Sequence, residues 1–546
     1  MTAAQLTNLT AELARLTATV AELQGSLETT DRAVDESWIL LSSVTIFFMQ
    51  CGFGMLEAGA VRAKNTRNIL MKNLLDTCFG TLVFWTIGWA IAWGGGNGVV
   101  GKPLPYEAES ISGLWFHQYV YAAACTTIVS GAIAERTRTV AYVVHSTTTA
   151  GIIYPVVVHW MWNSVGWLSP ANSDAFLGGA IDFAGSAVVH LTGGVVALVG
   201  AYVIGPRKER FNQHTGLPVA MPGHSSVLMA LGCFCLWFGW IGFNIGSVLS
   251  IIDDSRSPAR VAVNTMLAGA VGGVTVLLVN LKWGTKAWSV EGTINGILSG
   301  LVSITAGCST VESWAALVIG FIGGLIYFAA SWAVRGPPRS PLPRPRATVC
   351  PPLRRPLLTH TPNLTIPSPS PARALPPPRP TLASRHSLPS RCLQVLRLLR
   401  VDDVLDAFAV HGACGLWGLW STALFTTPEL SYGGSAGVFY GGGKLMGAAA
   451  VGGLATTVWA AVTGFGVFYS LKKIGWLRVS AEAELIGVDH GSHGGSAYGY
   501  DAAEAPLPEY PPPYVEPPKR TRPACSAARS IEIVPPPSAV RRPEVS

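Results

Sequence analysis

Asp182-Phe-Ala-Gly-Ser-Ala-Val-Val-His190, continuing as Leu-Thr-Gly-Gly, is the stretch that decides the fold of this chain. A carboxylate opens an apolar segment of membrane-spanning length, and an imidazole follows eight residues later. The pattern returns more than two hundred residues on, as Asp403-Val-Leu-Asp406-Ala-Phe-Ala-Val-His411 followed by Gly-Ala-Cys-Gly. An ionisable side chain inside lipid is costly and rare, and by default it marks an ion or proton pathway. The same device in two distant segments predicts two structural repeats that each supply half of one pore, with the site near the bilayer midplane.

Composition agrees. Of the 546 residues 49% are hydrophobic and only 13% charged, which excludes an ordinary soluble protein and requires a polytopic membrane protein. Apolar segments of spanning length fall at 38–60, 74–94, 115–134, 140–161, 181–204, 225–250, 260–281, 289–308, 314–334, 404–426 and 441–469. The expected fold is therefore all-α, with eleven transmembrane helices arranged as two inverted five-helix repeats plus one helix. Cations cluster in alternate loops: Arg62, Lys64, Arg67 and Lys72, then Arg136 and Arg138, then Arg207, Lys208 and Arg210, and finally Lys472, Lys473 and Arg478. The opposite loops carry Glu107, Glu109, Asp174, Asp253, Asp254 and Glu429. The positive-inside rule then puts the amino terminus outside and the carboxyl terminus in the cytoplasm. On a straight helix Asp182 would sit near the outer surface with His190 about 12 Å deeper, and Asp403 and His411 would mirror them from the cytoplasmic side.

The net charge of +7 is local: twelve Arg and no acidic residue lie in 335–400, and without them the chain carries −5. No nucleic-acid face is implied. The ten Cys are scattered with no CxxC pair, and no metal or cofactor site is expected. No strand and Gly-rich loop suggests a nucleotide; Gly242/Gly246, Gly269/Gly273, Gly296/Gly300 and Gly320/Gly324 read as helix-packing pairs. The opening residues do not read as a cleavable signal peptide.

Five regions follow. In 1–36, Leu6, Leu9, Leu13, Leu16, Val20, Leu23 and Leu27 form a heptad seam expected to pair with copies of itself outside the cell. The alternative is an amphipathic helix on the membrane surface, which its acidic polar face disfavours. Residues 37–334 hold helices one to nine. The Pro/Arg-rich 335–399 is expected to be a disordered cytoplasmic insertion, either a true loop or translated intron sequence. Residues 400–470 hold helices ten and eleven, and 471–546 form a cytoplasmic regulatory tail with a Pro-rich end. Asn8-Leu9-Thr10 is an N-glycosylation sequon on the expected outer side.

The stretches GFGMLEAGAVRAKNTRNILMKNLLD (52–76), SGAIAERT (130–137), YPVVVHWMW (154–162), DFAGSAVVH (182–190), GWIGFNIGS (239–247) and RVDDVLDAFAVHGACG (400–415) together resemble the ammonium transporters of the Amt/Mep/Rh superfamily, most of all the plant and algal Amt type. The resemblance implies a plasma-membrane homotrimer in which each protomer has its own pore. It places ammonium recruitment on Trp162 and Ser247, with Asp182 as the essential carboxylate orienting backbone groups. His190 and His411 become the pore pair sharing one proton, and Asp403 and Asp406 structural or relay groups. The gate falls on Tyr121 and Phe243. Tyr121 departs from the family's phenylalanine, and its hydroxyl is expected either to bond ammonium or to loosen the seal. The tail GVDHGSHGGSAYGY (487–500) resembles the plant regulatory tail, with Gly491 where that family has a phosphorylated threonine and Ser492 beside it. A PII-like protein or a kinase is the regulator this tail would meet.

Individually these residues have plainer readings. A membrane Trp is usually an interface anchor, a lone Ser is often packing glue, and His145 and His159 also lie within the fourth apolar segment. Ammonium, recruited and deprotonated, would cross as ammonia; potassium has no proton to lose and faces the full desolvation penalty. An Rh-type ammonia gas channel is the nearest rival, against which the Trp162/Ser247 pair argues. An ammonium sensor or transceptor would want a signalling domain, whereas the residues after 469 read as a tail. A membrane enzyme would want ligands such as HExxH, which the sequence lacks.

Overall fold

Within lipid every backbone N–H and C=O must be paired inside its own segment, so apolar runs of this length fold as helices. The computed structural model describes residues 2–101, 113–214, 216–254, 257–335 and 401–498. Among them no β-ladder forms beyond three isolated bridges. The expected Pro/Arg-rich insertion and Pro-rich end lie outside the described residues.

The helices, in order, are α1 (Ala3–Phe47), α2 (Met49–Ala60), α3 (Thr66–Val83), α4 (Trp89–Trp93), α5 (Gly113–Ile133), α6 (Thr139–Thr148), α7 (Tyr154–Met161), α8 (Thr192–Ile204) and α9 (Ser226–Ile245). They continue as α10 (Ser257–Trp283), α11 (Val290–Thr305), α12 (Ser313–Arg335), α13 (Cys414–Phe425), α14 (Lys444–Lys473), α15 (Ala481–Ile486) and α16 (Val488–Ser492). Single π-helical turns join α3 to α4 (Phe84–Gly88) and α6 to α7 (Thr149–Ile153). Two more, Ser186–Leu191 and Phe408–Ala413, open the rods that continue as α8 and α13.

Each of the eleven apolar segments overlaps a helical rod among the described residues, the fifth and tenth starting in loop ahead of theirs. Eight rods among the described residues are long and apolar enough to cross a membrane. The three that fall short are α5, α11 and the rod ending in α13. Of these, α11 is short at 16 residues, and α5 is packed largely among other helices, so its sequence need not be uniformly apolar. Along α5, His117, Gln118, Thr126, Thr127 and Ser130 are all buried.

The heptad segment continues directly into the first span: α1 runs unbroken from Ala3 to Phe47. Nothing between Leu27 and Phe47 is Gly or Pro, so nothing interrupts it. A Thr2–Gln5 capping box starts it. All seven seam residues are exposed, and the same register continues onto exposed Val34, Leu41 and Val44, so one apolar stripe runs from the free segment into the spanning part.

Glycine sets the closeness of the bundle. A Cβ on Gly272 would lie 2.5 Å from the Gly296 carbonyl oxygen, and one on Gly300 or Gly320 would strike the Ala268 carbonyl. Thus α10, α11 and α12 touch backbone to backbone, as the small-xxx-small pattern leads one to expect.

At the end of the bundle where α5 and α8 finish, loops are tied by ions. Arg207 Nε lies 2.8 Å and Arg210 Nε 2.9 Å from opposite oxygens of the Asp402 carboxylate. Arg136 Nη2 donates to the Asp402 carbonyl at 2.7 Å, and Glu135 joins Arg62 (2.5 Å) to Arg207 (3.4 Å). Burial alone would raise the Asp402 and Glu135 carboxyls, but Arg207 and its neighbouring guanidiniums hold both below the ordinary range. The tail docks beside them: Asp489 accepts the free N–H groups of Arg67 (2.8 Å) and Asn68 (2.7 Å) at the start of α3.

Candidate functional site

Both Asp-x7-His stretches build the same local structure. Asp182 lies outside the helix it opens, and its Oδ2 accepts the N–H groups of Ala187 (2.9 Å) and Val188 (2.8 Å). Asp403 does the same, Oδ1 accepting from Ala407 (3.0 Å) and Oδ2 from Phe408 (2.8 Å). Three residues after each aspartate the chain turns left-handed, at Gly185 (φ 102°) and at Asp406 (φ 60°). A π-turn follows, and the histidine sits in it. The expectation of a straight helix from aspartate to histidine, with a 12 Å rise, is therefore corrected: residues 182–185 are a capping loop. A free helix amino terminus offers unpaired N–H groups, and a carboxylate satisfies them best. Gly185 must also be small, because a Cβ there would meet the Trp162 ring at 3.2 Å. Asp406, non-Gly at positive φ, is held by Tyr327 Oη (3.0 Å) and Ser331 Oγ (2.9 Å), both donating to its Oδ2.

The small residues after each histidine let the two rods cross. A Cβ on Gly194 would lie 2.1 Å from the Gly412 nitrogen, and one on Gly415 2.5 Å from the Ser186 carbonyl oxygen; one on Gly418 would strike Ser186 Oγ. Positions ascend on one rod as they descend on the other, so the rods are antiparallel. The crossing brings His190 and His411 together, Nδ1 to Nδ1 at 3.2 Å with ring centroids 5.2 Å apart. Two facing ring nitrogens make a hydrogen bond only if one carries the proton and the other does not. The surroundings are apolar: Trp240 stacks on His190 at 4.9 Å and 13°, Phe243 lies 5.6 Å from it, and Phe53 lies 6.5 Å from His411. Both imidazoles are buried, His190 completely.

Above this pair opens a cavity of about 450 Å³ lined by Trp93, His117, Gln118, Tyr121, Trp162, Asp182 and Ser247, among others. Trp162 is pinned by its Nε1–H, which donates to the Asp182 carbonyl at 2.7 Å. Asp182 Oδ1 has no hydrogen-bond partner among the described residues, so this carboxylate keeps one oxygen uncommitted while the other caps the helix. Tyr121 lies edge-on to Trp162 (5.8 Å, 86°) and packs on Phe243 at 4.2 Å. Its hydroxyl donates to the Phe243 carbonyl (2.6 Å) and lies 2.8 Å from Ser247 Oγ. The Tyr121 hydroxyl is thus satisfied within the protein, and the Tyr121 ring lines the cavity with Phe243 packed against it. Trp162, Tyr121, Phe243, His190 and His411 form one row of rings from the open cavity into the bundle.

Other histidines take other places. His159 in α7 has both ring nitrogens against carbonyls, Ala92 at 3.0 Å and Asn97 at 2.7 Å, and fastens a loop. His145 is buried in α6, with Nδ1 3.4 Å from Thr149 Oγ1. Among the cavity residues that escaped sequence reading are His117 and Gln118, the former one turn before Tyr121 with its ring 4.9 Å from it. The i, i+4 relation to Tyr121 is the signal that could have found His117. A second, smaller cavity lies beyond His411 and contains Glu57.

The model of the Ammonium Transporter Family matches residues 37–335 and 389–498, passing over most of the Pro/Arg-rich segment. Ammonium transporter 3 of Dictyostelium discoideum is 36% identical over 479 residues, covering 86% of this chain and 95% of that protein. Ammonium transporter 1 member 3 of Solanum lycopersicum is 37% identical over 500 residues, covering 86% and 94%. Among solved structures, one named Sensor Amt Protein aligns with a TM-score of 0.67 at 28% identity, over 85% of this chain and 100% of its own.

Proposed function

The chain belongs to the ammonium transporter family, a family of multi-pass membrane transporters and not of enzymes, and we propose that it takes ammonium at the Trp162 mouth, removes its proton at the Tyr121–Phe243 gate and passes ammonia along the His190–His411 pair. The observation that carries this reading is the contact of the two imidazoles at 3.2 Å inside an apolar passage below an open cavity. At the mouth, the Trp162 indole attracts the cation, Ser247 Oγ can accept one of its N–H groups, and the uncommitted Asp182 oxygen supplies negative potential. Ammonium sheds its proton to the water of the outer mouth before the dry stretch, because an unpaired charge there would cost far more than a neutral base of the same size. The histidine pair, holding one proton between two facing nitrogens, gives ammonia both a donor and an acceptor on its way. In this orientation the Trp162 mouth faces outward and the Asp402 ion network faces the cytoplasm of a plasma membrane, where a kinase or PII-like regulator would meet the docked tail.

Assembly is part of the proposal. The exposed stripe from Leu6 to Val44 keeps a seven-residue period that a lone straight helix cannot align. Continuity with a spanning helix holds copies parallel and at one height. Of the positions flanking the seam, Thr10, Thr17, Thr19, Gln24, Ser26 and Ala33 are uncharged and only Glu12 and Asp31 carry charge, so little like-charge repulsion opposes the meeting of copies. We read the stripe as the seam of a homo-oligomer, a trimer by analogy with the family.

The test is uptake by cells lacking their own ammonium transport. Trp162→Leu should raise the KM for ammonium about 2- to 30-fold, the equivalent of a lost cation–π contact of about 0.5–2 kcal/mol. An unchanged KM would remove Trp162 from the recruiting site.

A further inference from the structure

Below His411 lies a cavity of about 30 Å³, lined by Phe53, Glu57, Ile128, Asn295, Leu298 and His411, among others. That is room for one water- or ammonia-sized molecule. Its acidic wall is unusual. Glu57 projects from α2 in the middle of the apolar bundle, 2% exposed, and is held by Asn73 Nδ2 at 2.7 Å and by the Ser130 hydroxyl. Lys72 Nζ lies 3.5 Å from it but only 2.9 Å from Asp76, its neighbour one turn along α3. Lys72 and Asp76 are as deeply buried as Glu57.

The charge count is the argument. Lys72 already has Asp76 as its near partner, so Glu57 is a second carboxylate where one would balance the charge. Two carboxylates and one ammonium buried together are neutral only if one carboxyl holds a proton, and an uncompensated charge in such a place is expensive. The other groups around the trio do not supply a cation. From α6 come the Tyr142 ring, 5.8 Å from Lys72 Nζ, and the His145 imidazole; α9, packed along α2, contributes no Asp, Glu, His, Lys or Arg. The remaining titratable neighbour is His411 itself, across the cavity.

We infer that Glu57 is the proton-exchange group of the inner mouth, the carboxyl that returns a proton to ammonia as it leaves the histidine pair. This rests on the ammonia-conducting reading above. The lone pair of ammonia takes the proton as the Glu57 O–H bond breaks, giving ammonium and carboxylate, and the carboxylate recovers a proton from the cytoplasmic solvent. Lys72 steadies the carboxylate in the interval, and Asn73 and Ser130 hold its orientation toward the cavity.

Glu57→Gln keeps the shape, leaves the Lys72–Asp76 pair neutral and removes only the exchangeable proton. Full-length protein in right-side-out vesicles is given external ammonium while lumenal pH is stepped from 6 to 8.5. Wild type should slow as the lumen becomes alkaline; Glu57→Gln should be at least ten-fold slower and indifferent to lumenal pH. Glu57→Asp, which keeps a carboxyl, should restore the pH dependence with a displaced midpoint, and it carries the test should the Gln variant fail to fold. A Gln variant that transports at the wild-type rate, or is slower but follows the wild-type pH profile, overturns the inference, as does an Asp variant with an unmoved midpoint. Wild-type protein that carries no ammonium would instead sink the transport reading on which the inference stands.

Discussion

Tyr121 shows how far a single residue can be read before its neighbours are known. Its ring was expected at the gate, and its hydroxyl either bonding the cation or loosening the seal. The hydroxyl is bound instead to the Phe243 carbonyl and to Ser247, while the ring lies 4.2 Å from Phe243. One hydrogen-bonded hydroxyl at a site of this kind is worth about 1 kcal/mol, so Tyr121→Phe should change the KM for ammonium by no more than about five-fold. It should leave potassium excluded, since the ring contact stays. Potassium leakage through Tyr121→Phe, measured as flux in vesicles, would show that the hydroxyl and not the ring closes the passage. The aspartates and histidines of the site were readable from the sequence because an ionisable group in an apolar run stands out against it. Glu57 and His117 were not, because neither repeats and each sits among residues that suit an ordinary helix.

At the scale of elements, the repeat was visible and its local geometry was not. The Asp-x7-His spacing gave no sign that both aspartates leave the helix to cap it, or that each histidine rides on a π-turn, since side-chain periodicity does not report backbone hydrogen-bond offset. The glycines after each histidine carry a clearer message once the crossing is seen. A side chain at Gly194 would strike the Gly412 backbone, which cannot move aside as a flexible side chain would. Gly194→Ala should therefore separate the two rods, cost roughly 1–3 kcal/mol as overpacking does, and reduce transport well beyond its effect on thermal stability. Thermal unfolding and uptake measured on the same preparation check this; full transport in a stable Gly194→Ala protein would mean that the imidazoles need not touch.

For the molecule as a whole, each apolar run falls on a helical rod among the described residues, because backbone pairing in lipid leaves few alternatives to a helix. The runs do not report that the heptad segment and the start of the first span are one helix. Removing residues 2–34 should leave each pore intact and weaken the oligomer, so that detergent-solubilised protein falls apart at lower temperature; an oligomer equally stable without the segment would contradict the seam. The central claim concerns the pore, that a cation enters the mouth and only a neutral base crosses the ring-lined passage. It is tested most directly by comparing ammonium and potassium flux through the full-length protein in the same vesicles. Rapid ammonium-dependent flux with potassium flux no greater than in empty vesicles is the predicted result, and comparable rates for the two cations would contradict the account.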